Sequence, residues 1–488
     1  MVRRRALLAA AGAAGIAGGL SVRSASAAVT RPLATVSVDL AKSLGAFPFG
    51  PGRQLSATPK SWQYGADTSA SLESLGLQRA RVWLKYPNLI ATGTGEPDYT
   101  AADQYLAYYH SLADRLLLNW QTGYDALSTV DGFDADAFVA AQRAALSHFK
   151  RLYPKIELIE VENEDFGPGE EAAGYYAKYV VMYRAVNGVN ADIAAGLLPG
   201  PALKVGGPTL DIFSTLRLGK FLDAYAADPR VDKKLDFISY HQYLIDTSGV
   251  ADQWAAYKDY PAVVATERAT LLAMLRARGL PAVPSYVSEV GVFPMTRAST
   301  LGFDADLHIQ AAGVASLHYH YAGQSGVTPF DWTIDHPEND RKDLFVDTDT
   351  GVPRPYFNAL KMLSMLPTTR CAATSDSLTA RGTGVYGLAG ATDRQIAVMT
   401  WNYQWTGTQA YDSRIILTNF PTVFQQSFVQ VTRYRLDAAT HSGAMAPVET
   451  FVINPRLDGT YYSQTLPLEP NELRLLVLTT RDSAVTAY

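Results

Sequence analysis

The chain has 488 residues, 48% apolar and 18% charged, enough for two or three domains and unlike a disordered or charge-driven chain. Its formal net charge is −5, and residues 28–488 carry 38 basic against 47 acidic groups, which disfavours nucleic acid and anionic membrane as partners. An aromatic content of 11% suits both ring-stacking ligands and a large β-rich core.

The chain opens with Arg3-Arg4-Arg5, a mild Ala/Gly-rich apolar run to Leu20, and Ala25-Ser26-Ala27. This is the pattern of a secretory signal, cleaved after Ala27, and the paired arginines point to the twin-arginine type. A secreted, extracytoplasmic protein is therefore expected. No later stretch holds 18 apolar residues without charge, so no integral membrane segment is expected after signal removal. The lone Cys371 has no partner for an intramolecular disulfide, and stability must come from core size.

After the signal, Ala34–Leu40 alternates at period two and reads as a strand that could pair into the domain that follows. From about residue 60 to 366, short apolar runs alternate with amphipathic stretches. Strands are predicted at Arg79–Trp83, Arg115–Asn119, Ile156–Val161, Leu203–Gly206, Phe237–Tyr240, Ser285–Ser288 and Val327–Trp332. Helices are predicted at Ala135–Leu152, Gly174–Asn187, Pro261–Arg278, Ala305–Tyr319 and Arg354–Leu366. This succession implies an α/β fold with a parallel sheet, and its length fits a (β/α)8 barrel with an open doubly wound sheet as the rival. From Arg370 onward, short alternating runs at Val385–Leu388, Gln395–Trp401, Ser413–Leu417, Ser427–Leu436 and Glu472–Thr479 predict an all-β sandwich. The expected domains are a signal at 1–27, a barrel with its N-terminal strand at 28–366, and a β-sandwich at 367–488.

Barrels place chemistry at the C-terminal ends of their strands. Those ends carry Arg81 and Trp83, Asn119 and Trp120, Glu162-Asn163-Glu164-Asp165, His241-Gln242-Tyr243, Glu289, and Asp331-Trp332. Carboxylates at the ends of strands four and seven are what cleavage of a glycosidic bond requires: one protonated to serve the leaving oxygen, one ionised to attack or to activate water. Glu160, Glu162 and Glu164 share parity, so a regular strand points all three the same way, and crowding of like charge raises a carboxyl pKa. Glu157 reads instead as a solvated acid at a strand rim.

Ile159-Glu160-Val161-Glu162-Asn163-Glu164 resembles the Asn-Glu acid/base motif of clan A retaining glycoside hydrolases, and Ser285–Val290 resembles their strand-seven nucleophile. With Lys204–Pro208, Asp236–Tyr243, Phe330–Thr333 and Gly351–Leu360, the resemblance is closest to family 39, the β-xylosidase and α-L-iduronidase family. It implies Glu164 as general acid/base and Glu289 as nucleophile. It also implies Asn163 on the neighbouring sugar hydroxyl, Arg81 holding the nucleophile ionised, His241 on a sugar hydroxyl, Tyr243 against the nucleophile and Trp332 as stacking platform. For Arg81 the structural alternative is a rim ion pair; for His241, Tyr243 and Trp332 it is core packing. Two departures touch the sugar pocket: Glu162 stands where the family usually has an aromatic residue, and Val82 follows Arg81 where it often has His.

The reading that follows is a secreted retaining glycosidase acting on a plant or microbial glycan. Its partner is carbohydrate, and it requires no cofactor and no metal. A non-catalytic glycan-binding barrel and a transglycosylase are the alternatives. Gly382–Gly387 matches a dinucleotide fingerprint by letter but lies in the all-β region and reads as a turn. His308, His318 and His320 fall on one predicted helix and diverge rather than form a metal site.

Overall fold

The computed structural model describes residues 31–59, 61–90, 97–167, 169–244, 260–292, 308–335, 343–405, 407–440, 443–453 and 461–481. The expected signal lies outside them. Eight parallel strands close into a barrel: β2 Gln54–Ser56, β3 Arg79–Lys85, β4 Arg115–Gln121, β5 Ile156–Val161, β6 Lys204–Leu210, β7 Phe237–Tyr243, β8 Ser285–Gly291 and β9 Val327–Trp332. Closure runs through β2, whose Ser56 lies in register with Arg81 on one side and Trp332 on the other. This strand escapes the sequence reading because three residues are too few to show a period.

The barrel strands read as apolar runs because sheet-facing helices cover one side and the barrel interior the other. All six residues of β5 and all seven of β8 are buried. Leu117, Leu158, Phe237, Tyr286 and Phe330 form an apolar cluster on the barrel strands. Leu158 and Glu160 share parity, so Glu160 faces the interior one layer nearer the C-terminal rim. The surrounding helices follow from amphipathic pattern and caps. In Ala135–Leu152, Asp134 accepts from the backbone N–H groups of Asp136 (2.8 Å) and Ala137 (3.1 Å), and Lys150 and Arg151 close the last turn. Phe138, Ala145, Leu146 and Phe149 form its buried stripe.

The remaining strands form one nine-stranded mixed sheet: β1 Leu33–Ala46, β10 Thr369–Ser375, β11 Gly384–Ala391, β12 Gln395–Tyr403, β13 Tyr411–Thr418, β14 Phe428–Leu436, β15 Pro447–Ile453, β16 Tyr461–Leu468 and β17 Leu473–Arg481. The sheet curls, so residues of β1, β13, β14 and β17 share a single apolar core.

The expectation that the N-terminal strand belongs with the barrel is corrected here. β1 lies between β10, antiparallel, and β13, parallel, with Val36 opposite Ser375 and Ile415. The physical reason is its alternation. Ala34, Val36, Val38 and Leu40 are buried while the residues between them are not, which fits a sheet with one wet face and not a barrel strand buried on both sides. β15 and β16 escaped notice because they are largely exposed and present little apolar pattern. Gly382, in the turn before β11, and Gly384, its first residue, hold positive φ, in keeping with the turn reading of that motif. No helix among the described residues is long and apolar enough to cross a membrane.

Candidate active site

The C-terminal mouth of the barrel is organised by one buried cation. The Arg81 guanidinium donates from Nε to Glu160 Oε2 (2.7 Å), from Nη1 to Glu289 Oε1 (2.9 Å) and Ser56 Oγ (3.2 Å), and from Nη2 to Asn163 Oδ1 (2.7 Å). Its planar fork serves four acceptors on three chain segments at once: β2, β5 with the turn after it, and β8. Burial works against the Arg81 charge, but the Glu160 and Glu289 carboxylates outweigh it and raise its pKa. Asn119 Nδ2 donates to the same Glu160 oxygen (2.9 Å) and to the Glu162 carbonyl (2.6 Å), tying β4 to the end of β5.

Beyond Val161 the chain leaves strand geometry. Glu162 and Glu164 hold φ of 56° and 52°, the left-handed region that few non-glycine residues adopt. The expectation that Glu160, Glu162 and Glu164 point one way is therefore overturned. Glu160 faces Arg81 inside the barrel, Glu162 turns to Thr122, and Glu164 turns to His241. Glu162 Oε1 accepts from the Thr122 N–H (2.9 Å) and from its hydroxyl, which anchors the loop after β4. Burial raises the Glu162 pKa. The solvated reading of Glu157 also fails: it is buried and paired with Arg115 (2.7 Å) and Lys204 (3.0 Å).

Opposite this turn, β7 and β8 supply His241, Tyr243 and Glu289. A register shift after Tyr240 brings His241 opposite Glu289, where uninterrupted pairing with Val287 would have continued to Ser288. Because one step in register exchanges faces, the shift sets His241 and Glu289 on the same face. Tyr243, two residues on, donates its hydroxyl to Glu289 Oε2 (2.7 Å), and His241 Nδ1 lies 3.5 Å from that oxygen. His241 Nδ1 also lies 2.7 Å from Glu164 Oε1.

The two carboxylates differ in surroundings. The Glu289 side chain is 7% exposed and that of Glu164 is 42% exposed, so Glu164 alone of the pair reaches solvent. Burial pushes the Glu164 pKa up, but its bond to His241 and the charge there prevail and lower it. This reverses the expectation that acid crowding raises it. Burial lowers the His241 pKa, yet Glu289 and Glu164 outweigh that and raise it. The pair thus holds its proton preferentially on the imidazole. Burial, then the neighbouring Glu289, drives the Tyr243 phenol well above its ordinary value, keeping it a donor.

Glu164, His241 and Glu289 offer donor atoms within 4.8 Å of one another, a spacing a metal could use. Each is already committed: Glu289 to Arg81 and Tyr243, Glu164 to His241. A guanidinium on the same carboxylate repels a cation, so the arrangement suits proton transfer. The three helix histidines separate as expected, His308 to the Asp437 carbonyl, His318 to Asp331 and His320 to the Tyr386 hydroxyl.

The structure therefore gathers Arg81, Asn163, Glu164, His241, Tyr243 and Glu289 at one mouth. Trp332 lies beside Trp83, their rings 5.7 Å apart, and Trp83 carries the Arg81 guanidinium 4.2 Å over its ring. Glu160, Ser56 and Asn119 are the members sequence reasoning did not assign. The usable signal for Glu160 was an acid in mid-run of an otherwise apolar strand, on the interior parity.

No protein-family model matches the chain, and no curated protein matches its sequence. Solved structures share its fold. A monomeric β-xylosidase from Caulobacter crescentus CB15 matches with a TM-score of 0.68 and 16% identity, covering 92% of this chain and 100% of its own. A glycoside hydrolase family 39 enzyme from Xanthomonas axonopodis pv. citri matches at 0.65 and 17%, covering 95% and 100%. A bacterial orthologue of human α-L-iduronidase matches at 0.69 and 13%, covering 93% and 84%. Barrel and curled sheet together are thus the architecture of family 39 enzymes, a likeness of fold at these identities.

Proposed function

We propose that this chain is a secreted glycoside hydrolase, exported by the twin-arginine route, that cleaves O-glycosidic bonds of a plant or microbial glycan with retention of anomeric configuration. One observation carries the reading: a Glu164 carboxylate oxygen and a Glu289 carboxylate oxygen lie within 4.8 Å across the barrel mouth. So close an approach of two oxygens suits a retaining pair, whose carboxyl groups stand about 5–5.5 Å apart, better than an inverting pair, whose groups leave roughly 6.5–9.5 Å for a water.

Glu289 is the nucleophile. Arg81 and the Tyr243 hydroxyl hold its charge and orient it towards the anomeric carbon. As the Glu289–carbon bond forms and the glycosidic C–O bond breaks, Glu164 delivers a proton to the leaving oxygen. In the second step Glu164 takes a proton from water, whose oxygen displaces Glu289 and releases the sugar. His241 holds the proton of the resting pair and returns it to Glu164 when the leaving group arrives. Asn163, fixed by Arg81, faces the hydroxyl beside the anomeric carbon, and Trp332 with Trp83 offers the apolar wall for the ring.

Purified residues 28–488 should hydrolyse at least one member of a panel of aryl glycosides, pentosides included, and Glu289→Ala should not. Glu164→Ala should slow glycosides with poor leaving groups by about 10²–10⁴-fold and activated aryl glycosides far less. Equal losses on both would remove Glu164 from the role of acid. Proton NMR of the first-formed sugar should show the anomer of the substrate.

A further inference from the structure

The barrel mouth continues past Trp83 into a cavity of about 680 Å³, within the ~300–1,000 Å³ typical of small-ligand sites. Its walls come from the segment after β2, the ends of β3 and β4, and the helix Thr100–Leu112. Trp62, Trp83, Lys85, Asn88, Tyr105 and Gln121 line it. Trp83 is the wall shared with the catalytic group, since it lies under the Arg81 guanidinium and also lines the cavity. Trp62 is half-buried and held by Tyr105, whose ring meets it edge-on at 5.9 Å.

Three features indicate what this space takes. Two half-buried indoles offer flat apolar faces, which suit the C–H face of a sugar ring. Asp98 also lines the space and brings a carboxylate that can accept from sugar hydroxyls. The side chains of Lys85, Asn88 and Gln121 make no hydrogen bond or ion pair to any described residue, leaving ammonium and amide groups for hydroxyls.

We infer that this cavity is a second sugar site, one ring along the same glycan from the ring held between Glu164 and Glu289. The preferred substrate is then an oligosaccharide or longer chain with at least two sugars on the enzyme, rather than a single terminal sugar on an arbitrary aglycone. The inference rests on the glycosidase reading for its placement, but its sugar binding can be measured without turnover.

The first test compares kcat/KM on 4-nitrophenyl monoglycosides and the matching diglycosides. The diglycoside should be preferred at least about tenfold, close to 1.4 kcal/mol of extra transition-state binding. Trp62→Ala should abolish most of that preference, Trp62→Phe should keep a ring and retain part of it, and Asn88→Ala should reduce it. Equal kcat/KM on both substrates, or a preference that Trp62→Ala leaves intact, overturns the site while leaving the glycosidase reading standing. The second test titrates the Glu289→Ala variant calorimetrically with xylobiose, cellobiose, xylose and glucose. Disaccharide binding about tenfold tighter than the monosaccharide, and lost in Trp62→Ala, supports the site even if no glycoside is turned over. Binding that ignores chain length, or no binding of any of the four, overturns it.

Discussion

Where the barrel meets the curled sheet, Trp401 stacks on Tyr386 with ring centroids 4.9 Å apart and planes 6° from parallel, and Tyr319 meets Tyr386 edge-on at 5.1 Å. The indole donor of this group is satisfied, since Trp401 Nε1 donates to Ser316 Oγ at 2.8 Å. At the mouth, Arg81, Glu160, His241 and Glu289 are as deeply buried, yet Glu160 Oε1 and His241 Nε2 have no partner among the described residues. One region is buried apolar surface with its donor met. The other is buried charge held in balance by geometry. Removing a ring at the seam loses contacts; removing a charge at the mouth leaves its partner stranded in low dielectric.

That contrast can be broken by substitution. Glu289→Ala should lower kcat on the order of 10⁴-fold or more, with a smaller loss of thermal midpoint than Arg81→Met because Glu160 still holds the Arg81 charge. A large loss of midpoint would mean that the mouth is structural first. Arg81→Met should destabilise by about 3–5 kcal/mol in urea unfolding, since Glu160 and Glu289 lose their shared cation, and adding Glu160→Gln should recover part of it. Trp401→Ala should also cost roughly 3–5 kcal/mol, yet leave kcat per folded molecule near the wild-type value. A kcat loss without a stability loss would show the seam acting on the mouth.

Smaller effects sharpen the same division. His241 has a raised folded pKa, so its contribution to stability is full below 6.5 and lost as pH rises through the folded value. Glu164 has a lowered one, so its contribution is full above 4.5 and lost as pH falls through the folded value. Both operate together between pH 4.5 and 6.5, where the stability gap between wild type and His241→Gln should be widest and from which it should narrow on either side. Glu162→Gln should matter least. Burial already favours its neutral form, and the amide oxygen can still accept from Thr122, so kcat should stay within about twofold and stability within about 1 kcal/mol. Loss of turnover through this variant would move the acid role from Glu164 to Glu162.

Much of this molecule is legible in its sequence. Apolar runs alternating with amphipathic stretches determine a parallel α/β sheet, because strands buried on both faces and helices buried on one need those two periods, while closure into a barrel through β2 was decided by tertiary pairing. The helix Ala135–Leu152 is read to the residue because its cap and its stripe are local. Arg81, Glu164 and Glu289 stand out because each interrupts or ends an apolar run with charge. What tertiary structure alone decided depends on partners distant in the chain. The left-handed φ at Glu162 and Glu164 sends three acids of equal parity to Arg81, Thr122 and His241. The register shift after Tyr240 aligns His241 with Glu289. β1 finds its place against β13 some 380 residues away, since its alternating face needs a sheet with one wet side. Period and composition are properties of neighbours in sequence, whereas register, handedness of a single residue and choice of sheet are settled by which surfaces meet.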